Sequence, residues 1–139
     1  GLFLYDQTKR IIQEYTTYGY KKKDVTLPLK YIDYTAFTQD SRQILAANRS
    51  GVLKFNFMDR QWSNAVDPAI FGGLEIKAMA LQKNIVFIAN ENGIVQYDMK
   101  NNLMDVFNYS FIGQVNDMYI KGRKIWLGTT EGLISYRYK

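Results

Sequence analysis

The side chains best placed to meet a partner are charged residues in short polar turns. Arg49, Glu91 and Glu131 each sit one or two places before a glycine, and Lys21, Lys22 and Lys23 form a run in a long connection. Read together they make a mixed-charge docking surface, with ordinary solvated turns as the bland alternative. Asp33 and Asp117 stand at comparable places in two repeats, and paired carboxylates facing a channel are the machinery of glycoside hydrolysis. The matching place in the intervening repeat holds Lys77 or Ala78, so the acids do not recur. Trp62 and Trp126 have faces suited to stacking on sugars. Trp126 lies inside the apolar run Ile125–Leu127, which fits packing better and makes it the residue whose loss is expected to hurt stability most.

Absences narrow the chemistry further. The sequence contains no cysteine and no histidine. Disulfides, thiolate metal sites, Ser-His-Asp triads and His-ligated zinc are therefore excluded. No glycine-rich loop leads into a helix and no cluster has calcium-loop spacing. The expectation is a protein with no catalytic residues, no metal and no cofactor.

The elements that must position these residues are strands. The 139-residue chain is 47% hydrophobic, too apolar to stay disordered, and its eleven Tyr and eight Phe against two Pro favour strands over helices. A net charge of +5 is spread thinly. Lys21–Lys23 is the dense run and Lys121, Arg123 and Lys124 a weaker cluster, which is not the one-sided footprint of a nucleic-acid binder. No nucleic-acid partner and no direct membrane insertion are expected.

A short phrase occurs four times. Gly1-Leu2-Phe3-Leu4-Tyr5-Asp6 returns from Gly51 to Asn56, from Gly93 to Asp98 and from Gly132 to Arg137. A small-apolar run precedes three of the copies: Ile44–Asn48, Val86–Asn90 and Ile125–Thr129. Two such runs joined by a Gly-ended turn predict a hairpin. A further strand is predicted upstream (32–37, 76–81, 115–120) and another downstream (10–15, 61–66, 103–107). One period is thus four short antiparallel strands in about 40 residues, the unit of a β-propeller. The predicted fold is all-β: blades at 31–66 and 76–107, partial blades at 1–18 and 115–139, and a connection over 16–30. About three blades cannot close a ring that needs four to eight. The ring is expected to be incomplete, with its remaining blades on the same parent chain or another copy.

The run Ile125-Trp126-Leu127-Gly128-Thr129-Thr130-Glu131-Gly132-Leu133-Ile134-Ser135-Tyr136 resembles the two-component regulator propeller repeat. The copies at 44–55 and 86–97 keep its turn, glycine and aromatic but carry alanine in place of Gly-Thr. The resemblance implies the periplasmic sensor region of a hybrid two-component receptor. It also implies a non-enzymatic module that binds a ligand, such as a glycan fragment, or a protein partner. Two other readings of the same repeats stay open: a fragment of a propeller polysaccharide hydrolase or lyase, and a protein-binding component of a secretion or envelope assembly.

Overall fold

In the computed structural model, residues 2–28, 34–48, 51–66, 75–91, 93–107 and 110–138 are described. Contacts divide the chain into two units, Gly1–Ile32 and Asp33–Lys139. Regular structure among the described residues is almost wholly extended, apart from one 3-10 turn at Ser110–Ile112.

The first unit holds β1 (Leu2–Asp6), β2 (Ile11–Tyr15) and β3 (Val25–Thr26) in the order β1-β2-β3. Tyr5 pairs with Ile12, and Ile12 in turn with Val25. Among its described residues Ile12, Val25 and Leu27 are buried. β3 lies inside the segment predicted as a plain connection. Two residues are too short to give a periodic signal, and their pairing with β2 is what creates the strand.

The second unit contains three sheets, each a meander. The first is β4 (Ala36–Gln39), β5 (Gln43–Asn48), β6 (Gly51–Asn56) and β7 (Gln61–Val66). The second is β8 (Ala78–Gln82), β9 (Ile85–Asn90), β10 (Gly93–Asp98) and β11 (Leu103–Phe107). The third is β12 (Val115–Lys121), β13 (Lys124–Thr129) and β14 (Gly132–Arg137). All neighbouring strands are antiparallel, and among the described residues no sheet closes on itself.

The recurring glycine has a conformational reason. Gly51, Gly93 and Gly132 close the hairpins at φ 134°, 144° and 125°, a region that L side chains rarely adopt. Their partners across the ladder are Asn48, Asn90 and Thr129. The turns that follow the phrase are capped instead by its last residue. Asp6 accepts from Lys9 N–H, Asn56 from Met58 N–H, and Asp98 from Lys100 and Asn101 N–H. Each of these turns ends on a left-handed non-glycine residue: Arg10, Arg60 and Asn102.

Packing between sheets repeats. The side of the first sheet that carries Leu45, Ala47, Val52 and Val66 meets Met79, Val86, Ile88 and Val95 of the second. The opposite side of the second, with Ala78, Ala80, Phe87 and Ile94, meets Ile112, Met118, Ile125 and Leu127 leading into and within the third. Side chains alternate along each strand, so the middle sheet buries both sides and its strands read as almost continuous apolar runs. We call the side that looks toward the next sheet in sequence the forward face.

Polar ties join the first and second sheets at both ends. Thr35 Oγ1 donates to Ile76 O at 2.8 Å near the glycine-turn end. At the other end Gln43 Nε2 donates to Lys83 O at 3.4 Å.

Candidate binding face

The charged residues singled out by the sequence divide between the two units. Lys21, Lys22 and Lys23 belong to the first, on the return from a tight turn in which Gly19 N–H donates to Thr16 O and Thr16 N–H to Tyr20 O. Lys21 pairs with Asp24 at 3.4 Å and Lys22 with Glu14 at 3.2 Å. These are exposed pairs of small energetic weight, and they tie down two of the three cations. Tyr18 and Tyr20, beside the run, are strongly exposed.

Glu91 and Glu131 belong to the second unit and occupy the β9–β10 and β13–β14 turns, both exposed. Glu131 is held at its backbone: its N–H donates to Thr129 Oγ1 at 3.1 Å, and that hydroxyl donates to Gly132 O at 2.9 Å. The neighbouring Thr130 is bonded to Gln114. Glu131 is thus carried on a fixed turn at the glycine-turn end of its sheet. Arg49 lies outside the described residues, as does Asp33. Asp117 is exposed at a bulge, where its carboxylate accepts from Met118 N–H. No group of three metal-ligating side chains occurs among the described residues.

The two tryptophans differ from their expected roles. Trp62 packs in its own sheet, 5.3 Å from the ring of Phe55, its partner across the β6–β7 ladder. Trp126 is half-exposed, while Ile125 and Leu127 on either side are buried. Strand alternation turns Trp126 to the opposite face from its apolar neighbours, so an apolar run did not mean a buried middle. The Lys124 ammonium lies 4.5 Å from its ring centroid, a cation–π contact.

That forward face of the third sheet holds the arrangement the sequence reading missed. Lys121, Lys124 and Arg137 are direct cross-strand partners, so three cations share one row of one face. The next row along the strands is Tyr119, Trp126 and Ser135, and the next Asp117, Gly128 and Leu133. Like charges directly opposite each other are unfavourable in a sheet. At the same places the second sheet has Gln82, Ile85 and Asp98. The cluster Lys121, Arg123, Lys124 was visible in sequence. What was needed to see the row was the alignment of Arg137 with Asp98, the last residue of the recurring phrase.

No protein-family model and no curated protein matches the sequence. Solved structures do resemble it. The extracellular domain of BT4673 of B. thetaiotaomicron, described as a one component system in one crystal structure, matches with a TM-score of 0.67 at 14% identity. The match covers 99% of this chain and 21% of that one. In a second crystal structure the same domain is described as that of a hybrid two component system; there the TM-score is 0.66 at 16% identity, covering 94% and 19%. The computationally designed Ika4 protein matches with a TM-score of 0.60 at 16% identity, covering 94% and 81%. At such identities the likeness is one of fold. The chain spans about a fifth of the BT4673 domain.

Proposed function

We propose that the chain is a non-enzymatic binding or scaffolding module, an arc of about three propeller blades. In this reading it belongs to the extracytoplasmic, periplasmic sensor region of a bacterial two-component regulator. The observation that carries the proposal is the repeated stack: the forward face of one sheet is buried by the next sheet, twice in succession. Such a unit depends on its neighbours for a core and suits a rigid surface rather than a deep catalytic cleft. The resemblance of the 125–136 run to the regulator repeat and the likeness of fold to the BT4673 extracellular domain support the sensor setting. Glu91 and Glu131, exposed on their turns, supply docking groups for a glycan fragment or a protein partner.

Thermal unfolding in the presence of a panel of acidic and neutral oligosaccharides tests this. A ligand that binds only the folded state raises the midpoint by mass action. The expected result is a concentration-dependent rise that Glu91→Lys or Glu131→Lys removes, with each oligosaccharide recovered at unchanged length. Shortened chains after incubation would overturn the non-enzymatic reading.

A further inference from the structure

In the second unit the end away from the glycine turns carries most of the basic charge. Its turns bring Arg42 and Arg60 from the first sheet, Lys83 and Lys100 from the second, and Lys121 and Arg123 from the third. All but Arg60 are exposed, and among the described residues none lies within ion-pair distance of a carboxylate. Asp40, Asp59 and Asp98 share this end, each accepting N–H groups of its own turn. Among the described residues the glycine-turn end has the opposite sign. Glu75, Glu91 and Glu131 stand there with Lys77, which is paired to Glu75 at 3.2 Å. The basic end is also braced. On each sheet a backbone bond ties the first turn to the residue just past the third strand: Phe57 N–H donates to Arg42 O at 3.0 Å, Met99 N–H to Asn84 O at 2.8 Å and Tyr138 N–H to Arg123 O at 3.0 Å. Between sheets, Gln43 Nε2 on Lys83 O joins the first to the second, and Tyr138 packs on the core shared by the second and third. These ties hold the turns of the three sheets level. From the β6–β7 turn Met58 stands out at 94% exposure, an apolar tip among the cations.

We infer that this end of the second unit rests on an anionic lipid surface. A level array of cations drawn from separate turns matches a flat layer of negative headgroups, which attracts each Lys or Arg held close to it. Met58 gains further by leaving water at that layer. The acids at the far end point the opposite pole away, so charge alone orients the molecule on the surface. The contact is adsorption at headgroup depth and requires no membrane span. It is made by turns within the repeats and is independent of the binding role proposed for Glu91 and Glu131.

Flotation of the full chain with vesicles of phosphatidylcholine, alone or mixed with phosphatidylglycerol, tests it. The chain should float with the mixed vesicles and not with the neutral ones, and salt should release it. The double variant Lys83→Asn, Lys100→Gln should weaken adsorption about tenfold or more. Lys83 has a left-handed φ of 56°, which asparagine accepts, and Lys100 is exposed, so strand content by circular dichroism should hold. If it does not, Arg42→Gln replaces Lys83→Asn. Lys54→Gln with Lys77→Gln removes the same charge from elsewhere on the unit and should leave adsorption nearly unchanged. Met58→Ser should weaken adsorption about threefold or more without altering retention on polyglutamate beads. No flotation, equal flotation with neutral vesicles, or a control that weakens adsorption as much would each overturn the inference. So would adsorption that survives the Lys83 and Lys100 substitutions, which would leave Lys21–Lys23 responsible. Tight retention on polyglutamate, with Met58→Ser making no difference on vesicles, would assign this end to an acidic protein instead.

Discussion

Gln114 and Thr130 hold each other by two hydrogen bonds. Gln114 N–H donates to Thr130 Oγ1 at 3.0 Å, and Thr130 N–H donates to Gln114 O at 2.9 Å. The β13–β14 turn, which carries Glu131, is thereby fixed to the segment that enters β12. The pair depends on close backbone approach, and Gly113 provides it. Its φ is +73°, and a Cβ there would run into Thr130 Oγ1 and stand 2.9 Å from Glu131 Cγ.

Gly113→Ala should therefore cost about 2 kcal/mol, combining left-handed strain with the clash. Gly122 is the internal control. It is also left-handed, at φ +62°, but a Cβ there meets nothing within 4 Å. Gly122→Ala should cost only the conformational part, about 1 kcal/mol. Denaturant unfolding of both variants separates the two contributions. Equal losses would mean that the Thr130 contact contributes nothing.

Phe87, not Trp126, is expected to be the more costly aromatic to truncate. Phe87 is fully buried on the forward face of the second sheet, with the Tyr138 ring 4.9 Å away. Phe87→Ala should destabilise by about 3–5 kcal/mol, the range for a large core deletion. Trp126→Ala, on an open face, should lose about 1 kcal/mol through the cation–π contact and partial burial. Unfolding midpoints in guanidinium rank the two directly. The opposite order would show that the forward face of the third sheet is covered in solution.

The contrast between these residues shows what the sequence could and could not convey. Strand positions were legible because the repeats combine alternation with a glycine that closes the hairpin at Gly51, Gly93 and Gly132 and an Asp or Asn that caps the following turn at Asp6, Asn56 and Asp98. The glycine and the cap are local requirements of backbone geometry, visible one residue at a time. Which side of a strand is covered is not local. Trp126 and Phe87 hold the same place in their repeats, yet one is half-exposed and the other buried, because among the described residues the second sheet has a neighbour on that face and the third has none. The left-handed conformations of Arg10 and Arg60 were equally hidden, since the turn imposes them on residues with no preference for that region. The docking residues stand between these cases. Their turns were predictable, but the division of Lys21–Lys23 and Glu91 with Glu131 between two units was not.

Asp98 gives a prediction for acid. Its carboxyl lies below the ordinary value of 3.8, chiefly because the Asn101 side chain donates to the ionised form, with the Asn101 and Lys100 N–H groups adding to it. A folded-state value below the unfolded one stabilises the protein above the unfolded value, and this is lost as pH falls through the folded one. Asp98→Ala should therefore lower the thermal midpoint at neutral pH, and the gap from wild type should narrow as pH drops below about 4. Melting curves across that range check it. A gap that stays constant would mean that the carboxylate charge is irrelevant to the turn.

The stacking of the first and second sheets should respond differently at its two ends. Thr35 Oγ1 reaches Ile76 O at 2.8 Å, whereas Gln43 Nε2 reaches Lys83 O at 3.4 Å. Thr35→Val keeps the shape of the side chain, removes the donor and leaves the carbonyl of a buried residue without it, so the cost should be about 1–2 kcal/mol. Gln43→Met removes a longer and weaker bond and should cost about 0.5 kcal/mol. The two ties lie at opposite ends of the sheets and share no partner, so the double variant should lose the sum of the two within about 0.5 kcal/mol. Chemical denaturation of the four proteins completes the cycle. Coupling well beyond that margin would show that the sheets lock as one cooperative contact rather than through separate ties.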